Sequence, residues 1–232
     1  MSIDRKLAWA SLVLALPGTI VLFRDENYKT AVLIVLLLIV CVGALVYHQW
    51  FTKRPGITVE KLTKTLTIFD DAGKRATLLR CQEFTVNYPN VDSIWFRNIV
   101  SDGKIVDPLI DGDAPDEEEH FSCLLSVQKQ YPKPLAMGER HEVRLEYGLE
   151  DSFPEKEESL LHDVDISTRK LILEVRLPAN RACKEAQLHI LAAGTTMHQI
   201  RRGFSVSADK RQISATIRNP RPGHTYEVSW TW

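Results

Sequence analysis

Hydrophobic and polar positions along this 232-residue chain follow one rule before residue 57 and another after it. Residues 7–23 (LAWASLVLALPGTIVLF) and 31–47 (AVLIVLLLIVCVGALVY) are each seventeen long without a charge, and RDENYKT separates them. A helix of that length measures about 25 Å, the lower end of what crosses a bilayer. Thr30, His48 and Gln49 extend the second run, and Trp50 with Phe51 supplies an interfacial aromatic end, so the predicted spans are 7–23 and 31–50. One such run alone reads as a buried core helix. Two, joined by seven polar residues, predict a transmembrane α-hairpin over residues 1–56. Arg5 and Lys6 also suit a cleaved signal peptide, but Arg24, Asp25 and Glu26 stand where a small-residue cleavage site belongs. Retention of the first span is the reading adopted.

From residue 57 the period becomes two, which is the alternation of a strand with one buried face. Strand candidates are 65–69, 77–86, 93–100, 121–128, 141–149, 170–177, 187–192, 203–206, 212–218 and 226–232. Val143, Leu145, Tyr147 and Leu149 alternate with Glu142, Arg144 and Glu146, and Tyr226, Val228, Trp230 and Trp232 share one side of the last run. Gly, Pro, Asn and Asp punctuate the runs with turn chemistry. About eight to ten strands with no amphipathic helix between them predict an all-β domain over 57–232, a β-sandwich or barrel. Residues 159–165 predict one helical turn, and residues 107–120 (DPLIDGDAPDEEEH) a long exposed acidic loop.

The positive-inside bias orients the hairpin. Arg5 and Lys6 precede it and Lys53, Arg54, Lys61 and Lys64 follow it, against Arg24 and Lys29 in the connecting loop. Both termini are therefore expected in the cytoplasm. Cys41 lies in the second span, and Cys81, Cys123 and Cys183 are an odd number at wide spacing, which suits a reducing compartment. Neither span holds Asp, Glu, Lys or Arg, so an intramembrane charge relay is not expected. Ala8, Ser11, Ala15 and Gly18 form a small-residue stripe suited to close helix packing within the hairpin or between subunits.

A formal net charge of −1 conceals a cancellation. Residues 57–165 carry 12 Lys and Arg against 23 Asp and Glu, whereas residues 166–232 carry 11 against 4. Three readings of the basic final third stay open: a solvated face paired with the acidic part, contact with an anionic leaflet, or a phosphate-bearing ligand. On the third, Arg201, Arg202, Arg218 and Arg221 supply the cations and Tyr226 or Trp232 a stacking surface. The Tyr-x-Val-x-Trp-x-Trp ending equally describes a buried terminal strand, and that reading is preferred for at least two of its three aromatics.

The chain has no GxSxG, HExxH, P-loop or dinucleotide-binding glycine pattern, and its seven His are scattered. No catalytic residue, metal ligand or cofactor is assigned, a DNA or RNA polymer is not expected, and the chain is read as not an enzyme.

The hairpin 7–23/31–47, the short basic juncture Lys53–Arg54 and the β-rich part reaching the C-terminus give the chain a recognisable layout. In architecture it resembles the two-transmembrane, β-strand-rich effectors of bacterial anti-phage nucleotide signalling, in CBASS and Panoptes-like systems. The resemblance implies a cytoplasmic β domain that binds a cyclic (oligo)nucleotide and controls homo-oligomeric assembly of the hairpins, disrupting the inner membrane. In the Panoptes-like version the bound nucleotide instead restrains the effector. The competing expectation is a membrane-anchored β-sandwich that docks a protein partner.

Overall fold

Period-two alternation is realised as fourteen strands among the described residues. The computed structural model describes Leu38 and residues 56–121, 124–192, 198–200 and 202–232. Apart from Leu38, both predicted spans lie outside the described residues, as do Ala8, Ser11, Ala15 and Gly18. Among the described residues no helix is long and apolar enough to cross a membrane. Two units, Met1–Arg54 and Pro55–Trp232, divide the chain, and the second carries the strands.

In chain order the strands are β1 (Ile57–Ile68), β2 (Arg75–Val86), β3 (Val91–Val100), β4 (Lys104–Ile110), β5 (Glu117–Phe121), β6 (Leu124–Leu135) and β7 (Arg140–Glu150). They continue as β8 (Glu157–Val164), β9 (Lys170–Arg176), β10 (Glu185–Ala192), β11 (His198–Ile200), β12 (Phe204–Val206), β13 (Gln212–Arg218) and β14 (His224–Thr231). A seven-stranded sheet runs β12-β13-β9-β1-β2-β7-β4, a four-stranded sheet β11-β10-β14-β8, and a three-stranded sheet β3-β6-β5. Each order has two ends. All pairings are antiparallel except β1 with β9.

The core is the shared inner face of these sheets. Leu62 and Leu66 of β1, Leu78 and Phe84 of β2, Val143 and Leu145 of β7 and Leu171, Leu173 and Val175 of β9 form its seven-stranded side. Phe96 and Val127 close it from the three-stranded sheet, and Leu188, Val228 and Trp230 from the four-stranded one. Trp230 meets Trp232 edge-on at 6.1 Å between ring centroids. Gly73 (φ 70°) makes the β1–β2 turn, where a Cβ would fall 1.6 Å from Phe153 O. That close approach lets Phe153 N donate to Gly73 O and ties the turn to the segment after β7.

Three local expectations are corrected. Residues 159–165 are not a helical turn but belong mostly to β8, where Leu160, His162 and Val164 face inward. An inward histidine interrupts the apolar alternation and hides the strand. Residues 107–120 are not one loop: β4 ends at Ile110, and β5 begins at Glu117. The strand Glu117–Phe121 is polar because its pairing with β6 is carried by the backbone. With β4, β5, β8 and β11 added, the strands number fourteen rather than eight to ten.

Candidate functional site: a cleft floored by two half-buried cations

The β1–β2 register sets Leu62 opposite Gln82, Lys64 opposite Arg80 and Leu66 opposite Leu78. Leu62, Leu66 and Leu78 are buried, so Lys64 and Arg80 occupy the inward phase of both strands between apolar neighbours. Like charges directly across an antiparallel pair repel, and removing them from water adds a desolvation cost. The arrangement therefore opposes stability unless something negative compensates it.

The two cations lie on an open cleft of about 970 Å³ that the three sheets border. Such a volume is at the upper end of small-ligand sites. Lys64 reaches across to the four-stranded sheet, where Nζ donates to Leu161 O at 2.7 Å. Arg80 donates from Nη2 to Gln82 Oε1 at 3.0 Å, and its guanidinium sits 5.0 Å from the Phe96 ring centroid. Its Nε is buried and has no hydrogen-bond partner among the described residues. Asp163 acts on Lys64 and Asp165 on Arg80 as longer-range charges. Among the described residues neither cation is in an ion pair.

Titration behaviour follows from that crowding. Burial, reinforced by the neighbouring Arg80 charge, pushes the Lys64 ammonium down to about 8, with Asp163 acting in the opposite sense. Burial also lowers Arg80. His162 faces the same cleft and is held well below the ordinary histidine value by burial and then by the charges of Arg80 and Lys64, so it is neutral at pH 7. Burial raises the Tyr147 phenol above its ordinary value, and Arg80 draws it the other way. The floor is thus an aromatic and cationic surface. Asp92, Asp102, Glu155, Glu158, Asp163 and Asp165 stand among the other lining residues, and half-buried Trp95 lies beside Arg97.

The residues singled out from the C-terminal third are placed differently. Arg201 lies outside the described residues, while Arg202, Arg218 and Arg221 are exposed. Tyr226 and Trp232 are both buried, as is Trp230. The Tyr226 hydroxyl accepts from Arg221 N at 3.0 Å, a contact that closes the β13–β14 turn. Trp232 donates from Nε1 to Glu155 O at 2.6 Å, and Arg181 covers its ring at 3.6 Å. Arg202, Arg218, Arg221, Tyr226 and Trp232 do not line the cleft. Lys64 and Arg80 escaped the sequence reading, although the signal was present. Leu62-x-Lys64-x-Leu66-x-Ile68 and Leu78-x-Arg80-x-Gln82-x-Phe84 each put a cation in an apolar phase.

No family model matches the chain, and no curated protein matches it. Solved structures similar to it include an M1 zinc metallopeptidase from Deinococcus radiodurans, with 15% identity over 76% of this chain and 42% of that one, at a TM-score of 0.43. A protein from Parabacteroides distasonis described as a protease is 13% identical over 77% of this chain and 41% of that one, at 0.44. A nutrient-binding protein from Legionella pneumophila is 9% identical over 77% and 68%, at 0.45. The chain spans about two fifths of the length of the peptidases. The reading of the chain as not an enzyme is corrected on this finding, because it rested on missing motifs and the similar structures include metallopeptidases. At these TM-scores the likeness assigns no activity to the chain. Among the described residues, no three of His, Cys, Asp and Glu are grouped to hold a metal ion.

Proposed function

We propose that the chain is a membrane-anchored, ligand-controlled effector whose β domain receives an anionic group on the Lys64–Arg80 floor. The spans 7–23 and 31–50 carry that domain on the cytoplasmic face of a bacterial inner membrane. Occupancy of the cleft controls homo-oligomeric assembly of the hairpins and, through it, the integrity of the bilayer. A ligand that binds one assembly state better shifts the population by its differential affinity. Short hairpins, when clustered, can also thin the membrane around them.

One observation carries the reading: Arg80 is a half-buried guanidinium opposite a second cation, and its buried Nε has no partner among the described residues. An anion there converts two desolvated positive charges into charge-assisted hydrogen bonds. The layout's resemblance implies a cyclic (oligo)nucleotide as the source, and its phosphates have the chemistry the floor asks for. The nearby carboxylates Asp163 and Asp165 suit the hydroxyl and amino donors of such a ligand.

The test is dye release from phosphatidylethanolamine–phosphatidylglycerol vesicles containing the full chain, with and without a panel of cyclic dinucleotides. A leak that a ligand switches on or off in the wild type, and no longer in Arg80→Met, is the expected result. Absence of any ligand response in the wild type would sink the reading.

A further inference from the structure

Strands that border a cavity with a face contribute alternate residues, because neighbours point to opposite sides. Two strands break that rule here. Residues 90–95 and 157–163 line the cleft without a gap, which means β3 and β8 border it with their backbone edges. Both are terminal strands: among the described residues β3 pairs only with β6 and β8 only with β14.

The free edge of β8 can be read residue by residue. Trp232 N donates to Lys156 O at 3.3 Å, which makes Glu157 and Thr231 a pair that exchanges no direct bonds. Ser159, Leu161 and Asp163 therefore turn their N–H and C=O groups away from β14. The contact from Lys64 Nζ to Leu161 O agrees, since that carbonyl is one of the outward set. An open edge of this kind is a template for a further strand.

We infer, on the reading that the cleft is an anion site, that it also receives a second class of ligand, an extended peptide with a free C-terminal carboxylate. The carboxylate meets Lys64 and Arg80 on the floor. Its main chain pairs with the outward groups of β8 along the border that β3 shares. Its Lys or Arg side chains meet Asp92, Asp102, Glu155, Glu158, Asp163 and Asp165, which make the remainder of the cleft strongly acidic around two central cations. That charge pattern suits a ligand with one anionic end and basic side chains. Strand addition supplies affinity through main-chain hydrogen bonds, and the terminal carboxylate fixes the register.

The experiment uses the full chain in lipid nanodiscs and a fluorescent, N-labelled octapeptide pool with Lys or Arg at alternate positions. The pool is prepared as free acids and as matched C-terminal amides. Inorganic phosphate and a cyclic dinucleotide panel are run as competitors. The free-acid pool is expected to bind at least tenfold more tightly than the amides, and Arg80→Met to abolish that difference. Ser159→Pro removes an outward N–H without touching the β14 ladder, so it should weaken the peptide at least tenfold and leave phosphate binding unchanged. Equal binding of acid and amide pools, or indifference to Ser159→Pro, overturns the peptide. If a cyclic dinucleotide or phosphate then binds in an Arg80-dependent way, the anion cleft stands without it. If no anion binds in an Arg80-dependent way, both readings fall.

Discussion

The chain holds two collections of positive charge that differ in almost everything but sign. The C-terminal set is numerous and conspicuous: Arg202, Arg218 and Arg221 are exposed, and the aromatics beside them are core residues. The floor of the cleft holds Lys64 and Arg80, one residue from each of two strands, set inward and opposite each other. Exposed arginines cost little to keep and do not need a partner. Half-buried cations set opposite each other are costlier until an anion arrives. The contrast teaches that burial and missing partners mark a charged site, and a count of basic residues does not.

The largest effect expected from breaking this contrast is structural. Trp230→Ala should destabilise the β domain by about 3–5 kcal/mol, because the side chain is fully buried among Phe153 and Trp232. Denaturant melts of the full chain would show it, and a near-wild-type midpoint would mean the terminal strand is a surface after all. Next comes Arg80→Met, which should cost an anionic ligand about ten- to hundredfold in affinity, the worth of a charge-assisted hydrogen bond, without loss of fold.

Lys64→Met sharpens the comparison through pH. Its ammonium is pushed down to about 8 in the folded chain, against about 10.4 in an unfolded one. Below pH 8 both states are protonated and the folded chain bears the full burial penalty, so the variant should melt higher than wild type. Between the two values the unfolded chain holds the extra proton, wild-type stability rises, and the advantage of the variant fades. The same titration predicts that anion affinity of the wild type falls as pH rises through 8. Thermal melts from pH 7 to 10.5 would check the crossing.

His162 makes a smaller contribution of the same sign at lower pH. Since burial holds it well below its ordinary value, the unfolded chain takes up a proton first as pH falls below about 6.5, and the folded state loses stability. His162→Gln should flatten that part of the pH–stability curve. The smallest effect belongs to the exposed set: Arg218→Glu with Arg221→Glu should stay within about 0.5 kcal/mol per site in stability and change cleft binding less than twofold.

How much of this was legible in the chain follows from the same distinction. Alternation exposed every strand whose inner face is wholly apolar, as in β7 and β9, because burial leaves a period in composition. It failed at β8, where His162 sits inside, and at β5, whose Glu117–Phe121 segment pairs with β6 without an apolar alternation. The cleft was hidden for a related reason. Lys64 and Arg80 lie sixteen positions apart, and only the β1–β2 register brings them face to face. That register depends on the turn at Gly73, which alternation does not encode. The C-terminal arginines stood out because they are close in sequence, which is the weaker kind of proximity.

The most direct test of the half-buried cation pair is the titration of Lys64 itself. Lysines of the full chain, carrying ¹³C-methyl labels in nanodiscs, would be followed by NMR, with Lys64 assigned from the Lys64→Met spectrum. A midpoint near 8 is expected, moving upward when inorganic phosphate is added and also when Arg80→Met removes the neighbouring positive charge. A Lys64 that titrates above 10 and ignores phosphate would contradict that expectation.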